Sequence, residues 1–244
     1  MTLFISYGMT RSGSTLAFET EKAILENYGM SQDKIIFKGL ENWIENYLHE
    51  KYLGDIDSLK KINEKTLDNF VVFKTHGAAN KKLINFIRKY KIPVTISVRD
   101  PKDIIISLLE ISRKNRSINE TGFINIISFK DALRNIEEDL WRLETWKPLI
   151  EEGSAKVIPY EETIKDAEII IQFLADLTSK PKLLISEIKE ITKKRFTQFN
   201  IGIAGRGQKS LNQIEIYRVE KKYIKDSIKR LIHLYFIKKQ NFQL

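Results

Sequence analysis

Short apolar stretches alternate with longer amphipathic segments along this chain. Four of the stretches have the length and the continuous apolar character of buried strands, at residues 3–7, 70–73, 94–98 and 156–158. Each is followed by a polar turn and then by residues at the 3.6-residue spacing of a helix. Strands that alternate with helices are typical of a parallel sheet covered on both faces. The pattern predicts a single α/β domain over residues 1–244, with a central parallel sheet of about four to five strands flanked by helices.

The helical periodicity runs through several segments. Its inward-facing positions are Leu16, Thr20, Ala23, Ile24 and Tyr28 after the first strand; Ile104, Ile105, Leu108, Leu109 and Ser112 after the third; Phe129, Ala132, Leu133, Ile136, Leu140, Leu143 and Trp146 before the fourth; Ile164, Ala167, Ile171, Leu174 and Leu177 after it; and Val219, Tyr223, Ile228, Leu231, Ile232 and Tyr235 in a long C-terminal helix. Two segments fit the alternation poorly. Residues 31–69 mix aromatic side chains with charges and are predicted to be a helical insertion, whereas residues 113–128 are predicted to be a mobile loop.

Composition narrows the function classes. The chain of 244 residues contains no cysteine, which excludes disulfides, thiolate nucleophiles and Cys-ligated zinc. Its net charge of +9 fits either a nucleic-acid or membrane surface or a cleft for a highly anionic small ligand. No apolar run approaches the roughly 18 residues of a membrane span, and the N-terminal residues do not resemble a secretory signal. We therefore expect a soluble cytoplasmic protein.

A phosphate-binding loop follows the first strand. Residues 8–15 read Gly, four residues, Gly, then Ser14 and Thr15. Loops that bind nucleoside triphosphates have a Lys at the position of Ser14, where it reaches the β- and γ-phosphates. Without that Lys, the loop can still surround a phosphate with backbone N–H groups at a helix N-terminus. The sequence therefore predicts a nucleotide site of the P-loop type that does not use ATP or GTP in the standard way.

Basic and titratable residues follow two other predicted strands. Lys74 and His76 end the second strand, and Arg99 ends the third, with Ser107 eight residues later. Since the carboxyl ends of parallel strands meet at one edge, these side chains should lie near the phosphate loop. His76 is suited to act as a base, although a histidine there could also simply bond a loop carbonyl. Arg99 and Ser107 suit a phosphate grip, although Arg99 could instead pair with Asp103.

Together with a late glycine-rich turn, these motifs resemble the sulfotransferases that use 3′-phosphoadenosine-5′-phosphosulfate (PAPS) and release adenosine 3′,5′-bisphosphate (PAP). The motifs that carry the resemblance are Arg11-Ser12-Gly13-Ser14-Thr15, Lys74-Thr75-His76, Arg99-Asp100-Pro101-Lys102-Asp103 with Ser107, Tyr160-Glu161-Glu162 and Gly205-Arg206-Gly207. Their order and spacing agree from residue 3 to about residue 211.

The resemblance implies a role for each motif. Arg11, Ser12, Gly13, Ser14 and Thr15 would bind the 5′-phosphosulfate, and Arg99, Ser107, Arg206 and Gly207 would hold the 3′-phosphate. Tyr160 would lie near the adenine. His76 would be the general base, and Lys74 and Arg11 would complete the catalytic group without a metal ion.

The acceptor is predicted less directly. A small molecule with a hydroxyl or amine group is expected, with residues 31–69 and 113–128 forming its pocket and Phe37, Trp43 and Tyr47 as lining. The same aromatic residues could equally be ordinary helix packing. Two other functions stay open: a P-loop-type kinase of a small metabolite, and a basic nucleic-acid-binding protein without catalysis. We expect neither nucleic acid nor membrane as a partner, and the oligomeric state is left open.

Overall fold

The computed structural model describes residues 3–35, 46–65, 69–193 and 203–224. Within them the central sheet has four strands: β1 (Leu3–Gly8), β2 (Val71–Thr75), β3 (Val94–Val98) and β4 (Ala155–Pro159). All pairings are parallel and the spatial order is β2-β1-β3-β4. The predicted α/β fold with a parallel sheet is confirmed, and each predicted strand lies within one or two residues of its observed bounds.

Helices cover both faces of this sheet. They are α1 (Ser14–Asn27), α2 (Glu50–Leu53), α3 (Ile56–Lys65), α4 (Lys81–Tyr90), α5 (Pro101–Ser117), α6 (Phe129–Glu151), α7 (Tyr160–Asp166), α8 (Glu168–Thr178), α9 (Ile185–Lys193), α10 (Arg206–Ser210) and α11 (Gln213–Ile224). Side chains of β1 alternate between the two faces, as the twofold period of a strand requires. Leu3, Ile5 and Tyr7 enter the core shared with α4, α5 and α6, whereas Phe4 packs with residues of α1 and α8.

The four strands all run in one direction, so their carboxyl ends share one edge of the sheet. The phosphate loop begins there after Gly8, His76 follows β2, and Arg99 follows β3. Tyr160 comes directly after β4 as the first residue of α7. The topology therefore places the phosphate loop, His76, Arg99 and Tyr160 at a single edge of the sheet, as the sequence predicts.

The segment 113–128 differs in part from its predicted form. Residues 113–117 are the last turn of α5, and α6 begins only after Ser128. Arg116 donates from Nη1 to the carbonyl of Ile124 at 3.0 Å, which ties the end of α5 to the connection that follows. The polar sequence Arg-Lys-Asn-Arg suggested a loop, but it is an exposed helical end with basic residues that suit a helix C-terminus.

Of residues 31–69, the structure describes 31–35, 46–65 and 69, and these are helical only in part. Residues 31–35 have no regular structure, α2 and α3 follow, and Tyr47 forms an isolated parallel bridge with Lys74 of β2. Phe37 and Trp43 lie outside the described residues.

The periodic segment after β4 is broken at Ala167, whose φ of 56° separates α7 from α8.

Candidate functional site

The phosphate loop turns tightly between β1 and α1. Arg11 and Gly13 have φ values of 63° and 86°, in the left-handed region that favours glycine. Both the backbone N–H and the hydroxyl of Ser12 donate to the carbonyl of Met9, at 3.1 and 2.7 Å. Ser14, at the start of α1, is buried. This bonding fixes the loop in front of a 14-residue helix, whose N-terminal end favours anions.

Two cationic side chains at this loop, Arg11 and Lys74, donate hydrogen bonds to hydroxyl groups. Arg11 Nε donates to Ser107 Oγ at 3.0 Å, and Lys74 Nζ donates to Thr15 Oγ1 at 2.7 Å. Burial lowers the pKa of Arg11, and the nearby charge of Arg99 lowers it further. The structure therefore brings β2, the phosphate loop and α5 together around two cationic side chains.

His76 lies beside the start of the loop. Its Nδ1 is 2.6 Å from the carbonyl oxygen of Gly8. A carbonyl oxygen can only accept, so Nδ1 carries the proton and Nε2 carries the lone pair. Burial, and then the charge of Lys74, lower the pKa of His76 from 6.5 to about 4. The imidazole is consequently neutral near pH 7, and the loop carbonyl considered in the sequence fixes its tautomer.

Arg99 is almost completely buried, with 6% of its surface exposed. Its guanidinium lies 4.0 Å from the centroid of the Tyr160 ring. Its Nη1 donates to the carbonyl of Arg11 and its Nη2 to that of Ile203, both at 3.4 Å. The ion pair with Asp103 is present but long, at 3.5 Å. Arg99 thus links the phosphate loop to the segment that precedes the late glycine loop.

Residues 205–207, the late glycine loop, are fixed to α5 by one carboxylate. The backbone N–H groups of Gly205 and Gly207 donate to the two oxygens of Asp103, each at 2.7 Å. Arg206 Nη1 donates to Glu110 Oε1 at 2.6 Å. Any side chain at residue 207 would overlap the backbone of α5, so only glycine allows this approach.

Asp103 and Glu110 were not among the predicted site residues. The signal that could have found them is their spacing, because Asp103, Ser107 and Glu110 recur at the four- and three-residue intervals of one helix face. Arg99 precedes that face and Arg206 contacts it. Five predicted donor-site residues, Arg11, Arg99, Ser107, Arg206 and Gly207, therefore meet around the first three turns of α5.

Two buried nitrogen atoms at this place lack partners. Arg99 Nε and Arg206 Nε are inaccessible to solvent and form no hydrogen bond with any residue that the structure describes. Buried donors are normally paired, so unpaired guanidinium nitrogens indicate capacity for an additional acceptor. A phosphate offers such acceptors in the geometry that guanidinium groups match best. The residues present therefore fit a phosphorylated nucleotide.

Solved structures of similar fold were found among sulfotransferases. Mouse sulfotransferase SULT7A1 complexed with PAP is 13% identical, with 93% of this chain and 84% of that chain covered at a TM-score of 0.55. Retinol dehydratase complexed with androsterone and PAP is 17% identical, covering 93% and 80% at 0.55. Retinol dehydratase complexed with retinol and PAP is 15% identical, covering 93% and 81% at 0.54. The chain has the sulfotransferase fold.

The resemblance noted in the sequence is thus confirmed at the level of the fold. No protein-family model matches the chain, and no curated protein matches it in sequence. Within the described residues no group of three or more His, Asp or Glu side chains could hold a metal ion. The same residues include no helix with the length and apolarity that crossing a membrane requires.

Helix α6 holds the phosphate loop in place through the carboxylate of Asp139. The N–H of Thr10 donates to Asp139 Oδ2 at 2.9 Å, and its hydroxyl lies 3.2 Å from Asp139 Oδ1. Arg142 Nη1 donates to the same carboxylate at 3.2 Å. Burial raises the pKa of Asp139, and its bonds to Thr10 oppose that shift. Sequence reasoning missed this contact because 129 residues separate its partners.

Tyr47 is the one predicted acceptor-site residue that the structure describes. Its bridge with Lys74 is made by two backbone bonds, from Leu48 N to the carbonyl of Lys74 at 2.8 Å and from Lys74 N to the carbonyl of Asn46 at 2.9 Å. The Tyr47 ring centroid lies 6.0 Å from that of His76. Tyr47 therefore lies close to the histidine.

Proposed function

We propose that this protein transfers a sulfonate group from PAPS to a hydroxyl or amine of a small-molecule acceptor. The observation that carries the proposal is a pair of adjacent cationic subsites at one phosphate loop. Arg11 and Lys74 form the first, and Arg99 and Arg206 form the second. A donor with phosphate at both the 5′ and the 3′ positions requires two such subsites, whereas a nucleoside triphosphate requires one.

The site supports a direct transfer with His76 as the base. As the acceptor oxygen forms its bond to sulfur, the acceptor proton moves to Nε2 of His76. The bond between sulfur and the bridging oxygen breaks, and its electron pair remains on the 5′-phosphate of the departing PAP. Arg11, Lys74 and the N–H groups of the loop stabilise the charge that develops there. The histidine then returns its proton to solvent.

The low pKa of His76, about 4, is compatible with this role. A neutral imidazole is ready to accept a proton over the whole physiological range, and the Gly8 carbonyl holds Nε2 as the accepting nitrogen. A base this weak would take the proton as the new bond to sulfur forms rather than beforehand. Burial therefore selects the protonation state that the transfer requires.

Similar solved structures support the donor assignment. They were solved with PAP, and two contain retinol or androsterone, which are small molecules. For this chain we infer that the same product nucleotide binds between α5, the phosphate loop and the late glycine loop. The kinase alternative lacks support at Asp100, the acidic candidate at a strand end, because its carboxylate caps α5 by accepting from Lys102 N at 2.8 Å.

A comparison of nucleotides by thermal unfolding tests the proposal. A ligand at 100 times its dissociation constant adds about 2.7 kcal/mol to stability. For a domain of this size that corresponds to a rise in Tm of roughly 5–11 °C. We expect PAP to produce this rise, AMP to produce much less because it lacks the 3′-phosphate, and ATP to produce little. Stabilisation by ATP or by an oligonucleotide, with none by PAP, would reject the sulfotransferase assignment.

A further inference from the structure

A second group of charges lies beside His76, contributed by α2 and α6. Arg142 is at its centre and contacts three carboxylates: Asp139 at 3.2 Å, Glu50 at 3.6 Å and Glu138 at 3.9 Å. We call these four residues the acceptor-side cluster. A Cβ atom placed at Gly77, the residue after His76, would lie 2.9 Å from the Cα of Glu50, so the start of α2 packs against the segment that carries His76. The cluster therefore borders the place where an acceptor must approach the base.

The balance of charge in this cluster is negative. Three carboxylates share one guanidinium, so one positive charge is opposed by three negative ones. The nearest cation of the donor site, Lys74, is bonded to Thr15 of the phosphate loop instead. Side-chain exposure is 2% for Asp139, 27% for Arg142 and 45% for Glu50. Of these three side chains, Glu50 is the most accessible to a ligand that arrives from solvent.

An unpaired hydroxyl lies against the same cluster. Tyr7 is completely buried, its ring centroid lies 4.9 Å from that of Trp146, and its hydroxyl has no hydrogen-bond partner in the described part of the chain. Burial, and then the charge of Asp139, raise the pKa of Tyr7, while Arg142 acts in the opposite direction. A buried phenol normally has a partner, so the unpaired state of Tyr7 means that the carboxylates of the cluster receive no hydrogen bond from it.

We propose that the acceptor-side cluster binds a protonated amine on the acceptor, which makes amino alcohols or amino phenols the substrate class. Glu50 pairs with the ammonium group, and the hydroxyl to be sulfonated faces His76. An acceptor that bears a carboxylate is disfavoured because Arg142 is already neutralised by its three partners. This assignment rests on the proposed function and specifies its acceptor.

Three phenols that share a two-carbon para chain and differ in its terminal group test the assignment. Tyramine carries an ammonium, 4-ethylphenol carries no charge, and 3-(4-hydroxyphenyl)propionate carries a carboxylate. Binding of each to the protein with saturating PAP is measured by calorimetry. We expect tyramine to bind at least about tenfold more tightly than 4-ethylphenol, the factor that corresponds to about 1.4 kcal/mol. The carboxylate compound should bind most weakly.

Two variants distinguish a specific role of Glu50 in binding from a general effect of surface charge. Glu50→Gln should weaken tyramine by about tenfold and change 4-ethylphenol by less than about twofold. Glu151→Gln removes a comparable exposed carboxylate at the end of α6 and should change neither probe. Equal affinities for the three phenols, no binding of any of them, or equal effects of the two variants would overturn the assignment.

The PAP titration in the same samples keeps two failures apart. If PAP binds but no preference for ammonium exists, only the acceptor class is wrong. If PAP itself does not bind, the proposed function fails and the acceptor class fails with it.

Discussion

Replacing Gly13 by alanine should damage both stability and donor binding. Gly13 has a φ of 86°, and a Cβ atom there would overlap Cδ2 of Tyr160 and lie 3.1 Å from its Cε2. Tyr160 in turn carries the guanidinium of Arg99 on its ring face. The substitution therefore has two costs: a left-handed backbone conformation for alanine, and displacement of an aromatic ring that organises the predicted 3′-phosphate subsite.

The two costs can be separated with a second glycine. A left-handed alanine costs roughly 1–2 kcal/mol, and forcing an extra carbon into a packed site typically costs 1–3 kcal/mol. Gly153 has a φ of 78° and no atom within 4 Å of a Cβ placed there. Gly153→Ala should therefore show only the backbone cost. Gly13→Ala should be less stable than Gly153→Ala by about 1–3 kcal/mol, or roughly 2–12 °C in Tm.

Thermal and urea unfolding of both variants measure this difference, and a PAP titration measures its effect on the site. We expect PAP affinity to fall in Gly13→Ala and to stay unchanged in Gly153→Ala. Equal stability of the two variants would show that the ring of Tyr160 does not pack on residue 13. Reduced stability with normal PAP affinity would show that Tyr160 and Arg99 do not act together in nucleotide binding.

Four further predictions address the site and the core. With an acceptor in hand, His76→Ala should lower kcat by about 10²–10⁴-fold without weakening PAP. Asp103→Asn should weaken PAP and expose the late glycine loop to proteolysis, because its carboxylate accepts from two N–H groups of that loop. Activity should survive excess EDTA, whereas Lys74→Ala should lose about 10²–10³-fold in kcat. Burial raises the pKa of Glu21 to about 8, so the folded state holds a proton that the unfolded state loses above about pH 4.5. Urea unfolding should therefore show stability falling between about pH 5 and 8, by up to about 1.4 kcal/mol per pH unit, and Glu21→Gln should flatten that slope.

The sheet was predictable from sequence because its strands are buried on both faces. Parallel strands of this kind are continuous apolar runs, and residues 94–98 form a strand with the predicted bounds. The edge of the sheet that carries the site followed from the same argument, since parallel strands place their carboxyl ends together. The sequence could place Lys74, His76 and Arg99 at this edge because each lies at, or shortly after, the end of such a run.

The carboxylates of the site were not predictable in the same way. Asp103 accepts hydrogen bonds from backbone N–H groups 102 and 104 residues later in the chain. Asp139 accepts one from a backbone N–H group 129 residues earlier. The spacing of Asp103 from Ser107 is the one local signal for it, and nothing in the local sequence distinguishes Asp139 from an ordinary charged residue on an amphipathic helix. The end of α5 was also missed, because a solvated helical turn and a polar loop have the same composition.

These missed carboxylates explain how the protein holds so much buried positive charge. Placing an unpaired guanidinium in the interior is strongly unfavourable, so Arg99 can be buried only if something offsets its charge. Asp103 provides part of that offset at a long distance of 3.5 Å, because its oxygens are also used by the late glycine loop. Arg206 obtains its offset from Glu110. Since the pairing of Arg99 is loose and Nε of both arginines stays unpaired, an anionic ligand can add bonds there without first separating Asp103 from the loop. Asp103 both offsets the charge of the subsite and holds the late glycine loop in place. Replacing Asp103 should therefore weaken ligand binding more than removing a surface ion pair would.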